Sequence, residues 1–92
     1  MSTKILIVDD DMELTALIKE YLENHQCAVS VSNDPIKGLE VFNKHQKTID
    51  LIILDITMPM MDGFQVLRNI RNDSTVPVIM LTARGEVSDR VV

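Results

Sequence analysis

The chain of 92 residues contains little cysteine, few aromatic residues and an excess of acidic over basic side chains. Its single cysteine, Cys27, cannot form an internal disulfide, and a lone thiol fits a reducing compartment. The nine Lys and Arg residues are outnumbered by 14 Asp and Glu, which gives a net charge of -5. This balance argues against direct binding to the phosphate backbone of nucleic acid, because such binding depends on clustered Lys and Arg. An acidic chain is better suited to cations or basic partners.

Long apolar runs are also absent. No stretch approaches the ~20 apolar residues of a membrane span, and the apolar run near the amino terminus is far too short for a signal peptide. A hydrophobic fraction of 46% with 25% charged residues is ordinary for a globular protein, and the length suffices for one core. We therefore expect a soluble, cytoplasmic protein with a single domain over residues 1–92 and no membrane contact.

Four short apolar runs predict β-strands. The runs 5–8, 51–54 and 76–81 are continuous and rich in Ile, Val and Leu, as is typical of strands covered on both faces in a parallel sheet. The run 28–31 is more polar and partly alternating, which favours an edge strand.

Between these runs the sequence has the pattern of amphipathic helices. Apolar residues at helical spacing follow Asp11, a candidate N-cap: Leu14, Leu17, Ile18, Tyr21 and Leu22. Asp34-Pro35 begins a second helix and Asp62-Gly63 a third, and a fourth is expected from Glu86. The order β-α-β-α-β-α-β-α predicts a parallel α/β layer fold with helices on both faces of the sheet.

Polar residues follow the predicted strands where the strands end. Asp9 and Asp10 end the first strand, Asp55 the third and Thr82 the fourth. Ligands of an open parallel sheet bind at the carboxyl ends of its strands, so the three aspartates converge if the first and third strands are neighbours. Two carboxylates about 5 Å apart repel by roughly 3 kcal/mol at an effective dielectric near 20, which favours a bound cation.

The ligand types indicate Mg²⁺ for this site. Mg²⁺ takes one or two carboxylates, keeps several waters and shares its shell with a phosphate, whereas a zinc site would need His or Cys ligands. Not every polar or sulfur side chain nearby belongs to a site: Asp11 is better read as a helix cap, and Met58, Met60 and Met61 as packing and loop residues.

The sequence also resembles a known family. The motifs that carry the resemblance are, in order, residues 8–11 (VDDD), 54–59 (LDITMP), 61–63 (MDG) and 76–84 (VPVIMLTAR). They are similar in order and spacing to the receiver domain of bacterial two-component response regulators, most closely the OmpR/PhoB type, in which a winged-helix DNA-binding domain follows the receiver. The resemblance implies a flavodoxin-like, doubly wound parallel sheet with strand order 2-1-3-4.

The resemblance also implies a role for each site residue. Asp55 would accept a phosphoryl group from a sensor histidine kinase, and Asp10 would bind Mg²⁺ directly, with Asp9 acting mostly through water. The backbone carbonyl of Thr57 would complete the protein's part of the metal shell, and Thr82 would be the hydroxyl that turns toward the phosphoryl oxygens. The expected function is thus phosphorelay signal transduction that controls transcription in a longer parent protein, not enzymatic turnover.

The chain departs from the family at its carboxyl end. A complete receiver has a fifth strand that ends in a lysine, and a fifth helix, and the sequence stops at Val92 before either. We therefore expect a truncated receiver whose fourth strand lies at an exposed edge, and which self-associates as a homodimer or by exchange of elements.

Two other functions stay open on the sequence alone. The chain could be a fragment that folds or dimerises but accepts no phosphoryl group, because the lysine is absent. It could also be a small Mg²⁺-dependent phosphatase with an aspartyl nucleophile, of the haloacid-dehalogenase kind. The phosphatase is disfavoured, because that class places a general acid two residues after the nucleophile and Thr57 occupies this position.

Overall fold

The computed structural model describes residues 2–81 and the backbone of residues 87 and 88. Strands and helices alternate as the sequence predicts, and the elements are β1 (Thr3–Val8), α1 (Met12–Asn24), β2 (Cys27–Ser32), α2 (Pro35–His45), β3 (Leu51–Asp55), α3 (Gly63–Arg71), β4 (Val78–Leu81) and β5 (Val87–Ser88). None of the described helices is long and apolar enough to cross a membrane.

The strands form one sheet in the order β2-β1-β3-β4-β5, with the first four strands parallel. The predicted order 2-1-3-4 and the three predicted helices are therefore confirmed. In the register of the sheet, Val8 lies between Ser32 on β2 and Leu54 on β3. Because these three residues lie side by side across the sheet, the residues that follow β1 lie next to the last residue of β3, at the carboxyl ends of the strands.

The prediction of a fourth helix from Glu86 is wrong at residues 87 and 88. Val87 and Ser88 pair antiparallel with Leu81 and Met80, and the remaining residues of that prediction lie outside the described residues. The predicted bare edge of β4 is wrong at the same two positions, since β5 pairs there. The physical reason is that an edge strand presents unpaired backbone groups, which a short antiparallel strand satisfies.

An aspartate caps the amino end of each described helix. Asp11 accepts a hydrogen bond from the backbone N–H of Leu14 at 3.0 Å, and Asp34 accepts from those of Ile36 and Lys37. Asp62 and Gln65 form a reciprocal capping box at the start of α3. The three predicted helix starts are thus confirmed, and each described helix begins at the end of the sheet where the predicted site residues lie.

The core lies between the sheet and the pair α2 and α3. It comprises alternate residues of the strands together with one face of each of these helices, and its most buried members are Leu6, Val8, Phe42, Ile52, Leu54, Val66, Ile70, Val78 and Met80. Helix α1, by contrast, fully buries only Thr15. Its predicted apolar stripe lies only partly inside, because Leu14, Leu17 and Tyr21 are exposed.

Candidate metal centre

Three carboxylates meet where β1 and β3 end. One oxygen from each of Asp9, Asp10 and Asp55 can be chosen so that all three oxygens lie within 4.8 Å of one another. Asp9 and Asp55 are only 3% and 8% exposed, whereas Asp10 is exposed. The protein therefore buries one side of the cluster, and the other side is open to solvent at Asp10. The predicted convergence of these three residues is present in the structure.

Backbone and side-chain hydrogen bonds hold Asp9 in place. Its side chain accepts a hydrogen bond from the backbone N–H of Asp11 at 2.9 Å, and its own N–H donates to the carbonyl of Ser32. Its carbonyl accepts a hydrogen bond from Asn33 Nδ2 at 2.7 Å, and the same nitrogen lies 3.1 Å from Thr15 Oγ1. Asn33 thus ties the end of β1 to α1 and to the segment after β2. Sequence reasoning missed this residue, because a polar residue after an edge strand is ordinary in a turn.

Asp55 is positioned by the loop that follows it. Its Oδ1 accepts a hydrogen bond from the backbone N–H of Thr57 at 3.2 Å, and the N–H of Gly63 donates to the carbonyl of Ile56 at 2.8 Å. A Cβ at Gly63 would overlap the carbonyl oxygen of Asp55 and approach Ile56 Cα to 2.8 Å. This close approach requires glycine at position 63, and it holds the start of α3 against the site.

The loop also contains a strained residue that the sequence did not reveal. Met60 has a φ of 72°, and the N–H of Met61 donates to the carbonyl of Pro59 across it. This three-residue turn places a non-glycine residue in the left-handed region. The side chain of Met60 is 80% exposed, whereas Met58 is buried and Met61 packs against the core. Met58 and Met61 therefore pack as predicted, and Met60 is a loop residue.

Burial and mutual repulsion raise the pKa values of the two buried carboxyls. The pKa of Asp55 rises from 3.8 to about 6, mainly through burial and then through the charges of Asp9 and Asp10, against the opposing hydrogen bond from Thr57. The pKa of Asp9 is raised chiefly by burial, with the N–H of Asp11 opposing. A divalent cation would relieve this repulsion, and three carboxylate oxygens are the donor set that hard cations prefer. The cluster therefore fits a cation such as Mg²⁺.

Thr57 and Thr82 are the other two predicted site residues. The backbone N–H of Thr57 donates a hydrogen bond to Asp55 Oδ1. The role of the Thr57 carbonyl as a metal ligand stays a prediction. Thr82 follows β4 directly and lies outside the described residues.

Residues 5–92 match the family model of the response regulator receiver domain. The chain belongs to this family. Receiver domains of response regulators are mainly signalling modules, and they interact with histidine kinases and phosphotransfer partners. The predicted family is thus confirmed on a match that covers nearly the whole chain.

Among curated relatives, the chain is 46% identical over 89 residues to a transcriptional regulatory protein of Haemophilus influenzae described as a CpxR homolog. The alignment covers 97% of this receiver and 38% of that protein, so the chain spans less than half the length of this relative. The runs 81–85 (LTARG) and 89–91 (DRV) predict a likeness to CpxR within the OmpR/PhoB type, and the identity over the whole alignment confirms that likeness.

Solved structures agree with the fold. The receiver domain of the Francisella response regulator 1452 superposes with a TM-score of 0.84 at 30% identity, over 92% of this chain and 69% of that one. The BeF₃-activated receiver domain of Klebsiella pneumoniae RstA gives a TM-score of 0.80 at 34% identity, over 88% of this chain and 68% of that one. Both likenesses support a flavodoxin-like receiver fold for this chain.

Proposed function

We propose that this receiver accepts a phosphoryl group on Asp55 from a sensor histidine kinase, in the cytoplasm, and that it thereby controls transcription as part of a longer regulator. Asp10 and Asp55 would bind Mg²⁺ directly, Asp9 mostly through water, and the carbonyl of Thr57 would add a fourth protein ligand. The observation that carries the proposal is the convergence of three carboxylates at the carboxyl ends of β1 and β3.

The chemistry of transfer suits this arrangement. A carboxylate oxygen of Asp55 would form a bond to phosphorus while the bond from phosphorus to the donor breaks, which gives an acyl phosphate. The donor histidine would leave as an imidazole, and no general acid is required at the acceptor. Bound Mg²⁺ would supply neutralisation of the negative charge on the phosphoryl oxygens. The protein's part is to hold Asp55 at a fixed position through Thr57 and the loop that Gly63 anchors.

Asp55 is suited to the acceptor role by its ionisation. With a pKa of about 6, it is mostly ionised at neutral pH and therefore nucleophilic. A new phosphoryl group would add up to two negative charges and three acceptor oxygens beside β4. Thr82, directly after β4, would turn toward these oxygens and pass the change to the surface.

The phosphatase alternative is not favoured. The residue two positions after Asp55 is Thr57, which cannot act as a general acid, and the nearest acid along the loop, Asp62, is engaged in the capping box of α3. The family match also groups the chain with signalling modules.

The test is intact-mass spectrometry of the 92-residue chain after incubation with Mg²⁺ and acetyl phosphate. We expect a gain of one phosphoryl group, which is lost when Mg²⁺ is chelated and in Asp55→Asn. Asp11→Asn is the matched control, because it removes a neighbouring charge but keeps a good N-cap, and it should still be phosphorylated.

Two results would contradict the proposal. The first is a gain of mass that persists in Asp55→Asn, since the acceptor would then be another residue. The second is no gain in a chain that still unfolds cooperatively, which would support the alternative of a folded module that transfers nothing.

A further inference from the structure

The outer edge of β2 lacks the features that protect exposed strands. Strand β2 ends the sheet on one side, and no strand of the described residues lies beyond it. Its six residues, CAVSVS, include no charged residue, proline or glycine. Edge strands usually carry charged residues, proline or bulges, because their unpaired backbone groups otherwise pair with another chain. We propose that β2 pairs antiparallel with β2 of a second copy of this chain, about a two-fold axis at Val29.

The hydrogen-bonding direction of β2 fixes the register. The carbonyl of Ser32 accepts a hydrogen bond from the N–H of Asp9, so the backbone of Ser32 faces β1. Alternation along a parallel strand then turns the backbone groups of Cys27, Val29 and Val31 outward. In an antiparallel pair centred on Val29, Val29 meets its own copy and Cys27 meets Val31 of the second copy. In this register the outward backbone N–H and C=O groups of Cys27, Val29 and Val31 can all form hydrogen bonds with the second copy. A shift of the register by two residues would leave some of these backbone groups unpaired.

The self-complementary register and the lack of charged residues on β2 favour a second copy as the occupant. The net charge of -5 opposes association of two chains, but the paired strands bring no charge against charge. Ala28 and Ser30, which would lie opposite each other across the axis, are small and exposed. They also line a cavity of about 290 Å³ between β2 and α2, which leaves room for side chains at this edge.

The area sets the strength of the pairing. Six residues at about 3.3 Å each make a strand about 20 Å long, and a sheet about 10 Å thick gives about 200 Å² per copy. A standard stable interface buries about 800 Å² per partner. The pairing is therefore weak and concentration-dependent, so its test must trap it.

Disulfide trapping between two different variants provides the test. In a Cys27→Ser background, Ala28→Cys and Ser30→Cys are made in separate chains of different mass and mixed under oxidising conditions. The register places residue 28 opposite residue 30 of the second copy as a non-hydrogen-bonded pair, with Cα atoms about 4.5 Å apart, which suits a disulfide. Two copies of residue 28, or two of residue 30, are about 8 Å apart and cannot be bridged.

We expect a linked species that contains one chain of each variant, with little self-linked product from either variant alone. Equal amounts of all three linked species would mean random collision of exposed thiols and would overturn the proposal. Absence of any linked species, with both variants folded by circular dichroism, would also overturn it.

A charge exchange tests the same register without cysteine. Ala28→Lys with Ser30→Lys sets lysine opposite lysine at two places, whereas Ala28→Lys with Ser30→Glu sets lysine opposite glutamate. Sedimentation at millimolar concentration should show association of the unsubstituted 92-residue chain and of the Lys/Glu variant. The Lys/Lys variant should not associate. Equal behaviour of the two double variants, or a monomeric unsubstituted chain, would count against pairing through β2.

Discussion

At the scale of single residues, Asp55 ties the stability of the fold to pH. Its pKa is raised from 3.8 to about 6 by burial and by the charges of Asp9 and Asp10. The folded chain therefore holds this proton more tightly than the unfolded chain between about pH 4 and pH 6. The free energy of unfolding falls as pH rises through this interval, and the loss is complete above about pH 6.

We therefore expect Asp55→Asn to stabilise the protein at pH 7 in the absence of divalent cations. The shift corresponds to at most ~3 kcal/mol, and since the cluster opens to solvent at Asp10, we expect about 1–2 kcal/mol. The gain should shrink toward zero at pH 3, where Asp55 is largely protonated in both the folded and the unfolded state. Urea denaturation at the two pH values measures it, with the exposed Asp73→Asn as control. A destabilised Asp55→Asn at pH 7 would contradict this.

At the scale of the elements, the close approach of α3 to β3 has a cost that can be measured. A Cβ at Gly63 would meet the backbone of Asp55 and Ile56, which cannot move aside without displacing the site. We expect Gly63→Ala to lower the free energy of unfolding by about 2–3 kcal/mol. Gly38→Ala serves for comparison, because the three atoms nearest to its Cβ would all belong to the side chain of Val8 and not to the backbone. Gly38→Ala should lower the free energy of unfolding by less than Gly63→Ala, because alanine in a helix interior is more favourable than glycine by about 1 kcal/mol. Equal losses of free energy in the two variants would refute this explanation.

The elements also show how far the sequence could predict the structure. The helix starts were predictable because each depends on residues close in sequence. Asp11, Asp34 and Asp62 accept hydrogen bonds from backbone N–H groups two or three residues further along the chain. The convergence of Asp9 and Asp55 was predictable because parallel strands end at a common edge.

Other features depend on contacts between distant residues, and the sequence did not reveal them. The bridge made by Asn33 links the end of β1 to α1, and β5 pairs with the edge of β4. The left-handed turn at Met60 was also missed, because nothing about methionine favours a positive φ. The exposure of Leu17 and Tyr21 shows that helical periodicity locates a helix but not what covers it.

At the scale of the whole molecule, cation binding should couple to global stability. A ligand that binds only the folded state stabilises it by about 2.7 kcal/mol at 100 times its Kd. We expect Mg²⁺ to raise the melting temperature at pH 7, and to do so less at pH 5, where a proton occupies Asp55.

Two variants make this coupling specific to the cluster. Asp10→Asn should abolish most of the rise in melting temperature, because it removes one of the three converging carboxylates. Asp11→Asn should retain the rise, since Asp11 acts as a helix cap. A rise in melting temperature that is independent of pH, or present in Asp10→Asn, would place the cation elsewhere.

The position of β1 in the middle of the sheet also bears on how the protein is made in the cell. Asp9 and Asp10 leave the ribosome before β3, and Asp55 at the end of β3 is translated 46 residues after Asp9. At about 5–20 residues per second, the two halves of the carboxylate cluster stay apart for roughly 2–9 seconds of synthesis. During this time no complete cation site exists on the nascent chain. A cation that needs all three carboxylates cannot bind before β3 has been made, so it cannot act as a nucleus for folding of the part of the chain that precedes β3.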